Sequence, residues 1–142
     1  MYGGVMNSFS RSVDIIHRSL DANTLRYQVS ANNMANAEVP NFKRTTVNFE
    51  SELKSALESE KNANKTMKLA TSDSRHFQIE QPTNYQSVEP RRVVDYTSTS
   101  KANGNNVDAE QEAMTVLQTQ LQYQLLTQME RFEFSQMKIV LK

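Results

Sequence analysis

The chain has no cysteine, and only three glycines and three prolines in 142 residues. Without cysteine there are no disulfides, no thiol nucleophile and no thiolate metal site. Two histidines, His17 and His76, lie far apart in sequence, which argues against a histidine-rich metal cluster. An excess of either charge is also missing: 16 basic side chains balance 16 acidic ones, and the pI is near 6.7. Nothing is left over to neutralise a phosphate backbone or an anionic membrane, so nucleic acid and lipid are poor candidate partners. No apolar run approaches the roughly 18 residues of a membrane span. The first residues, MYGGVMNSFSRSVDIIHRSL, lack a basic n-region, a continuous apolar h-region and a small-residue cleavage site, so no cleaved Sec signal is expected. Hydrophobic content is 37% and mean hydropathy −0.67, thin for a self-sufficient core. Much of the apolar surface is therefore expected to be buried against other chains.

What is present is order at the two ends. Met6, Phe9, Val13, Ile16, Leu20, Asn23, Tyr27, Ser30 and Met34 recur at alternating steps of three and four, the spacing of a heptad seam. Asn23 and Ser30 interrupt it with polar groups. A polar seam residue lowers stability but fixes register, because mispairing strands a buried amide; for Asn23 the expectation is that it sets stagger between chains. Ile15, Ala22, Leu25 and Val29 widen the apolar face beyond a two-stranded seam. The helix should end near Asn36, where SANNMANAEVP supplies weak helix formers and Pro40 disfavours helix at Val39.

At the other end, Asp108 or Asn106 can cap a second long helix, with Asp108, Glu110 and Glu112 placed in solvated first turns that suit the helix dipole. Met114, Leu117, Leu121, Leu125, Gln128, Phe132, Gln136 and Ile139 follow an eleven-residue rhythm, extended by Met129, Met137 and Val140. This stripe reads as core or interface. The predicted fold is mainly α, with the terminal helices packed as an antiparallel, coiled-coil-like pair. The organisation is 1–36 for the first axial helix, 37–106 for a middle region and 107–142 for the second. In the middle, Phe49–Leu57 reads as a short amphipathic helix, Glu60–Thr66 as a polar turn, and MKLAT, HFQIE and RRVVDYTSTS as extended or hairpin pieces broken by Pro82 and Pro90. KANGNN, Lys101 to Asn106, is the clearest breaker.

Two stretches carry more than periodicity. SANNMANAEVPNFKR, Ser30 to Arg44, resembles the Asn-Asn-Leu-Ala-Asn…Thr-Pro-Gly-Tyr-Lys signature of bacterial flagellar rod and hook axial proteins. GNNVDAEQEAMTVLQTQLQY, Gly104 to Tyr123, resembles the Gly-Asn-Asn-Val-Asp…Glu…Tyr signature that opens their C-terminal helix. Arg75-His76-Phe77 after Leu69-Ala70-Thr71, together with the short length, is similar to the proximal rod members of that family. Where the family has Thr-Pro-Gly-Tyr, this chain has Val39-Pro40-Asn41-Phe42; Asn tolerates the left-handed turn and Phe keeps the ring.

The resemblance implies a structural subunit, not an enzyme and without cofactors. It implies a protein exported by the flagellar type III apparatus without a cleaved signal, and a place in the periplasmic rod of the basal body. It also implies helical assembly with other rod proteins (FlgC among them), the adaptor FliE and the MS ring, in a shaft that transmits motor torque for motility. The competing reading is a soluble helical adaptor or export chaperone that binds a partner's helix in its groove.

No catalytic, cofactor or metal residue is assigned. The residues expected to carry core and assembly contacts are Phe9, Val13, Ile16, Leu20 and Tyr27 at one end. At the other they are Met114, Leu117, Leu121, Leu125, Phe132 and Ile139. Asn33, Asn36, Pro40, Gly104, Asn106 and Asp108 are expected as turn and cap elements. Asn32, Asn33 and Asn36 read equally as backbone-binding groups at a turn that neighbours recognise, or as a solvated helix end. His17 reads as a flank residue, His76 as a turn or surface residue, and Arg91-Arg92 near Asp95 and Glu89 as a charged surface or an intersubunit salt-bridge site.

Overall fold

A computed structural model describes residues 2–70 and 82–142, with side chains described over 7–68 and 82–142. The elements in chain order are α1 (Tyr2–Ala35), β1 (Thr45–Asn48), α2 (Glu50–Ala70), a single 3-10 turn (Tyr85–Ser87), β2 (Arg91–Val94) and α3 (Ala109–Val140). They divide into two compact units. One is built from 1–47 and 92–142, the other from 48–91.

In the first unit α1 and α3 pack along each other. Phe9 meets Phe134, His17 meets Glu130 and Asn23 meets Thr119, so the terminal helices run antiparallel, as expected. At 34 and 32 residues, each is on the order of 50 Å long. The seam of α1 is turned inward: Ile16, Asn23 and Ser30 are buried, with Phe9, Val13, Leu20 and Met34 half-buried beside them. Ala22 and Val29, on the second stripe, are buried as well. Tyr27 stays 45% exposed and so stands outside the intrachain core.

Asn23 is used inside the chain: its amide donates to the Thr119 carbonyl at 2.5 Å, which ties the register of α1 to α3. The partner is a helix carbonyl with a spare lone pair.

Between the two readings of the α3 stripe, core or interface, the register of α3 leaves it out of the intrachain core. Its inward side carries Glu112, Thr119 and Met137 as buried residues, with Val116, Leu126 and Glu130 half-buried. The eleven-residue stripe faces away. Met114, Leu117, Leu121, Leu125, Phe132 and Ile139 are all exposed, Leu121 and Leu125 at 57% and Ile139 at 67%. At about 100° per residue, Leu121 lies roughly 200° around the helix from Thr119, so the two sets cannot share a face.

β1 and β2 form a two-stranded sheet. The Asp95 N–H donates to the Arg44 carbonyl and the Thr46 hydroxyl to the Val93 carbonyl, which is antiparallel register. β2 matches the extended RRVV expected there. β1 was not foreseen, because TTVN is too short to show alternation.

In the second unit, α2 runs to Ala70, well past Leu57, and Glu60–Thr66 is helix where a turn is predicted. The polar stretch holds no Gly or Pro, and its Glu, Lys and Ala are good helix formers; polarity alone is no breaker. For the same reason Met67–Ala70 of MKLAT is helical, not extended. Phe49 and Ala56 are buried, as the amphipathic reading requires. Asn84 caps the 3-10 turn by accepting from the Gln86 N–H, and Tyr85 and Val88 are buried around it. HFQIE, His76 and the Arg75-His76-Phe77 segment lie outside the described residues.

Candidate assembly site

The two sequence signatures meet in the first unit, where the end of α1 and the start of α3 are held by a polar clasp. α1 ends in consecutive turns: the Asn36 N–H donates to the Asn32 and Asn33 carbonyls, and the Asn36 amide donates back to Asn32. Past Pro40, Asn41 adopts φ 61°, the left-handed conformation expected at the position where the flagellar signature has glycine. Gly104 stands opposite at φ 82°. An L side chain is strained at that φ, and a Cβ there would also press on the Asn41 side-chain oxygen, so the position strongly favours glycine. The Asn41 N–H donates to the Asn103 carbonyl at 2.9 Å, joining the two turns.

Side-chain amides complete the clasp. Buried Asn105 donates to the Asn36 and Val39 carbonyls, both at 2.8 Å, and accepts from the Val107 N–H. Asn106 accepts from the Arg44 N–H and donates to the Asp95 carbonyl, each at 2.6 Å. Asn33 is paired reciprocally with the backbone of Thr45, at 2.8 and 3.0 Å. Lys43 reaches the Gly104 carbonyl at 2.6 Å and Lys101 the Ala37 carbonyl at 3.1 Å. Each of these groups would be an orphan without its partner, so the clasp specifies one geometry. Asn33 and Asn36 are thus occupied inside the chain, not displayed as a solvated helix end.

Asp108 is the cap of α3, accepting from the Glu110 and Gln111 N–H groups, and Glu110 is exposed as the dipole reading requires. Glu112 is not. It is completely buried and accepts from Arg44 Nε at 2.9 Å, while Arg44 Nη1 lies 3.5 Å from Asp95. A carboxylate with no solvent needs a charged, hydrogen-bonded partner, and the guanidinium supplies one. Hydrogen bonds from the Ser98 hydroxyl and from the Thr97 and Ser98 N–H groups hold the Asp95 carboxyl well below the usual carboxylate range. Arg44 and Glu112 escape sequence reasoning because an acid in a first turn reads as solvated. The signal that finds Glu112 is its place in the polar series Glu112, Thr119, Glu130, which lies on the inward side of α3.

The predicted site residues therefore fall into three groups. Phe9, Val13, Ile16 and Leu20 lie on the side of α1 turned to α3. Asn33, Asn36, Pro40, Gly104, Asn106 and Asp108 are gathered at the clasp. Met114 through Ile139 form an outward strip, joined in neither. His17 is exposed and bonds Glu130; Arg91 and Arg92 are exposed, with Arg91 Nε 3.7 Å from Glu52. Among the described residues no group of three or more His, Asp or Glu could hold a metal ion, and no helix is long and apolar enough to cross a membrane.

No protein-family model matches the chain. Curated relatives do. It is 43% identical to the flagellar basal body rod protein FlgB of Borreliella burgdorferi over 138 residues, which span 96% of this chain and 100% of the relative. It is 39% identical to FlgB of Borrelia hermsii over 137 residues, again 96% and 100%. A more distant relative, FlgB of Bacillus subtilis, is 28% identical over 136 residues, 96% of this chain and 97% of its own length. With both signatures interlocked at one clasp and identity of this degree along the whole of the relatives, the chain belongs to the family of flagellar basal body rod proteins FlgB.

Proposed function

We propose that this chain is a non-enzymatic structural subunit of the proximal rod of the flagellar basal body. It is exported without a cleaved signal and associates helically with its own copies and with further rod proteins, the adaptor FliE and the MS ring, as part of the shaft that carries torque. The observation behind this reading is the outward strip of α3, Met114 to Ile139. Soluble chains rarely leave contiguous apolar patches of more than a few hundred Å² uncovered. Long helices with one apolar face turned inward and another outward are suited to tubes, where each subunit packs within itself and against neighbours. Phe9, Val13, Ile16 and Leu20 hold the helix pair, the Asn33, Asn36, Gly104 and Asn106 clasp fixes its geometry, and the strip makes the contacts between subunits. That the named relatives are rod proteins supports the assignment.

The test is to delete the gene and restore it with wild type or with Leu125→Asp. Deletion should abolish motility, wild type should restore it and appear in purified basal bodies, and Leu125→Asp should restore neither motility nor incorporation. A chain that is needed for motility yet absent from finished basal bodies would mark the export-chaperone or adaptor reading instead.

A further inference from the structure

The outward strip has a complementary surface on the same molecule. On one flank of the helix pair a groove of about 340 Å³ opens between α1 and α3, lined by Thr24 and Tyr27 from the first and Thr119, Gln120, Tyr123 and Gln124 from the second. None of the six is charged. Tyr27 and Tyr123, at 45% and 52% exposure, leave much of their rings open to solvent. From Ala113 to Met129, α3 contains no charged residue at all. That neutral stretch supplies both the α3 side of the groove and Met114, Leu117, Leu121 and Leu125 of the strip.

We propose that the groove receives Leu121 and Leu125 of a second copy of this chain, so that copies add head to tail. The proposal rests on the rod-subunit reading and names its lateral contact. Size fits: from Met114 to Ile139 the strip is about 38 Å long and roughly 10 Å wide, on the order of 400 Å². A patch of that extent on a soluble chain is often functional. Charge commits the occupant. Burying Lys or Glu in an uncharged slot is costly unless a counter-ion comes with it, and this slot offers none. The strip's neutral middle matches it and offers leucines to a groove lined by two tyrosines.

Geometry then decides the kind of assembly. Around α3 the strip at Leu121 lies about 200° from Thr119, while the groove at Gln120 and Gln124 lies about 100–140° from it. Strip and groove are neighbouring but distinct surfaces, and in the head-to-tail contact each copy gives its strip to one neighbour and its groove to another. Each copy offers one of each, and repetition gives an open array in place of a closed dimer.

The absence of cysteine makes the test clean. Chains carrying Thr24→Cys and chains carrying Leu121→Cys are co-expressed in the deletion strain, and purified basal bodies are oxidised. A disulfide dimer that forms only when both variants are present supports the contact, and the Thr24→Cys, Leu121→Cys double variant should extend to a ladder. A dimer from Leu121→Cys alone, which means strip against strip, overturns it. So does a photoreactive phenylalanine at Leu121 that captures another rod component, or no cross-link from either probe while the chain is present in basal bodies. Absence of the wild-type chain from basal bodies sinks the rod reading itself, and with it this contact.

Discussion

The seam of α1 and the strip of α3 look alike in sequence and have opposite fates. Both repeat apolar side chains at helical spacing over some 25 residues or more, yet the first faces its own chain and the second faces away. In their place, the inward side of α3 offers Glu112, Thr119 and Glu130 to an α1 seam that is itself broken by Asn23 and Ser30. The intrachain interface is the more polar of the two available, and specific pairings compensate for that. Arg44 covers Glu112, Asn23 takes the Thr119 carbonyl, and His17 meets Glu130. The better apolar surface of α3 is left outward, as the proposed contact with a neighbour requires.

The largest effect should come from the pairing that makes a polar inward face tolerable. Glu112→Ala leaves the Arg44 guanidinium without its buried partner and should cost about 3 kcal/mol or more of folding stability, read as a shift in the urea midpoint of the purified chain. Arg44→Met with Glu112→Leu should recover most of that loss, since a well-packed apolar pair is often neutral in place of an ion pair.

The comparison itself is broken by paired truncations. Ile16→Ala, in the buried seam, should lose about 2–4 kcal/mol. Leu121→Ala, on the strip, should change the free chain by under about 0.5 kcal/mol while reducing incorporation into basal bodies. Equal destabilisation of the free chain by both would place the strip inside the molecule.

Next in size, Gly104→Ala forces a Cβ onto Asn41 at a left-handed position and should cost about 1–3 kcal/mol. Because the clasp alone is affected, helix content at 222 nm should hold while the urea midpoint falls.

The smallest effect is the acid limb. The Asp95 carboxyl is depressed in the folded chain, so the stability it contributes is complete above the ordinary carboxylate pKa of about 3.9. It is lost as pH falls below that toward the lower folded value. Asp95→Asn should flatten this part of the pH–stability profile and leave the neutral region nearly parallel to wild type.

Several elements were legible before any coordinates. The ends of α1, the Asp108 cap, the glycine-favouring turn at Gly104 and its asparagine counterpart at Asn41 all follow from backbone chemistry that acts over a few residues. The continuation of α2 through Glu60–Thr66 was hidden because a polar helix and a polar turn share composition. Glu112 was hidden because its partner, Arg44, is 68 residues away.

By itself the sequence determined that the chain has two long amphipathic ends, where they stop and start, and, through the paired signatures, the family to which it belongs. Local propensity, capping and left-handed turns depend only on near neighbours, so they can be read in one dimension. Which face of α3 turns inward was decided only by the tertiary structure. Periodicity says that a stripe is buried on something. The choice between its own chain and another depends on where the clasp aims α3 and on whether a remote arginine arrives to cover one glutamate.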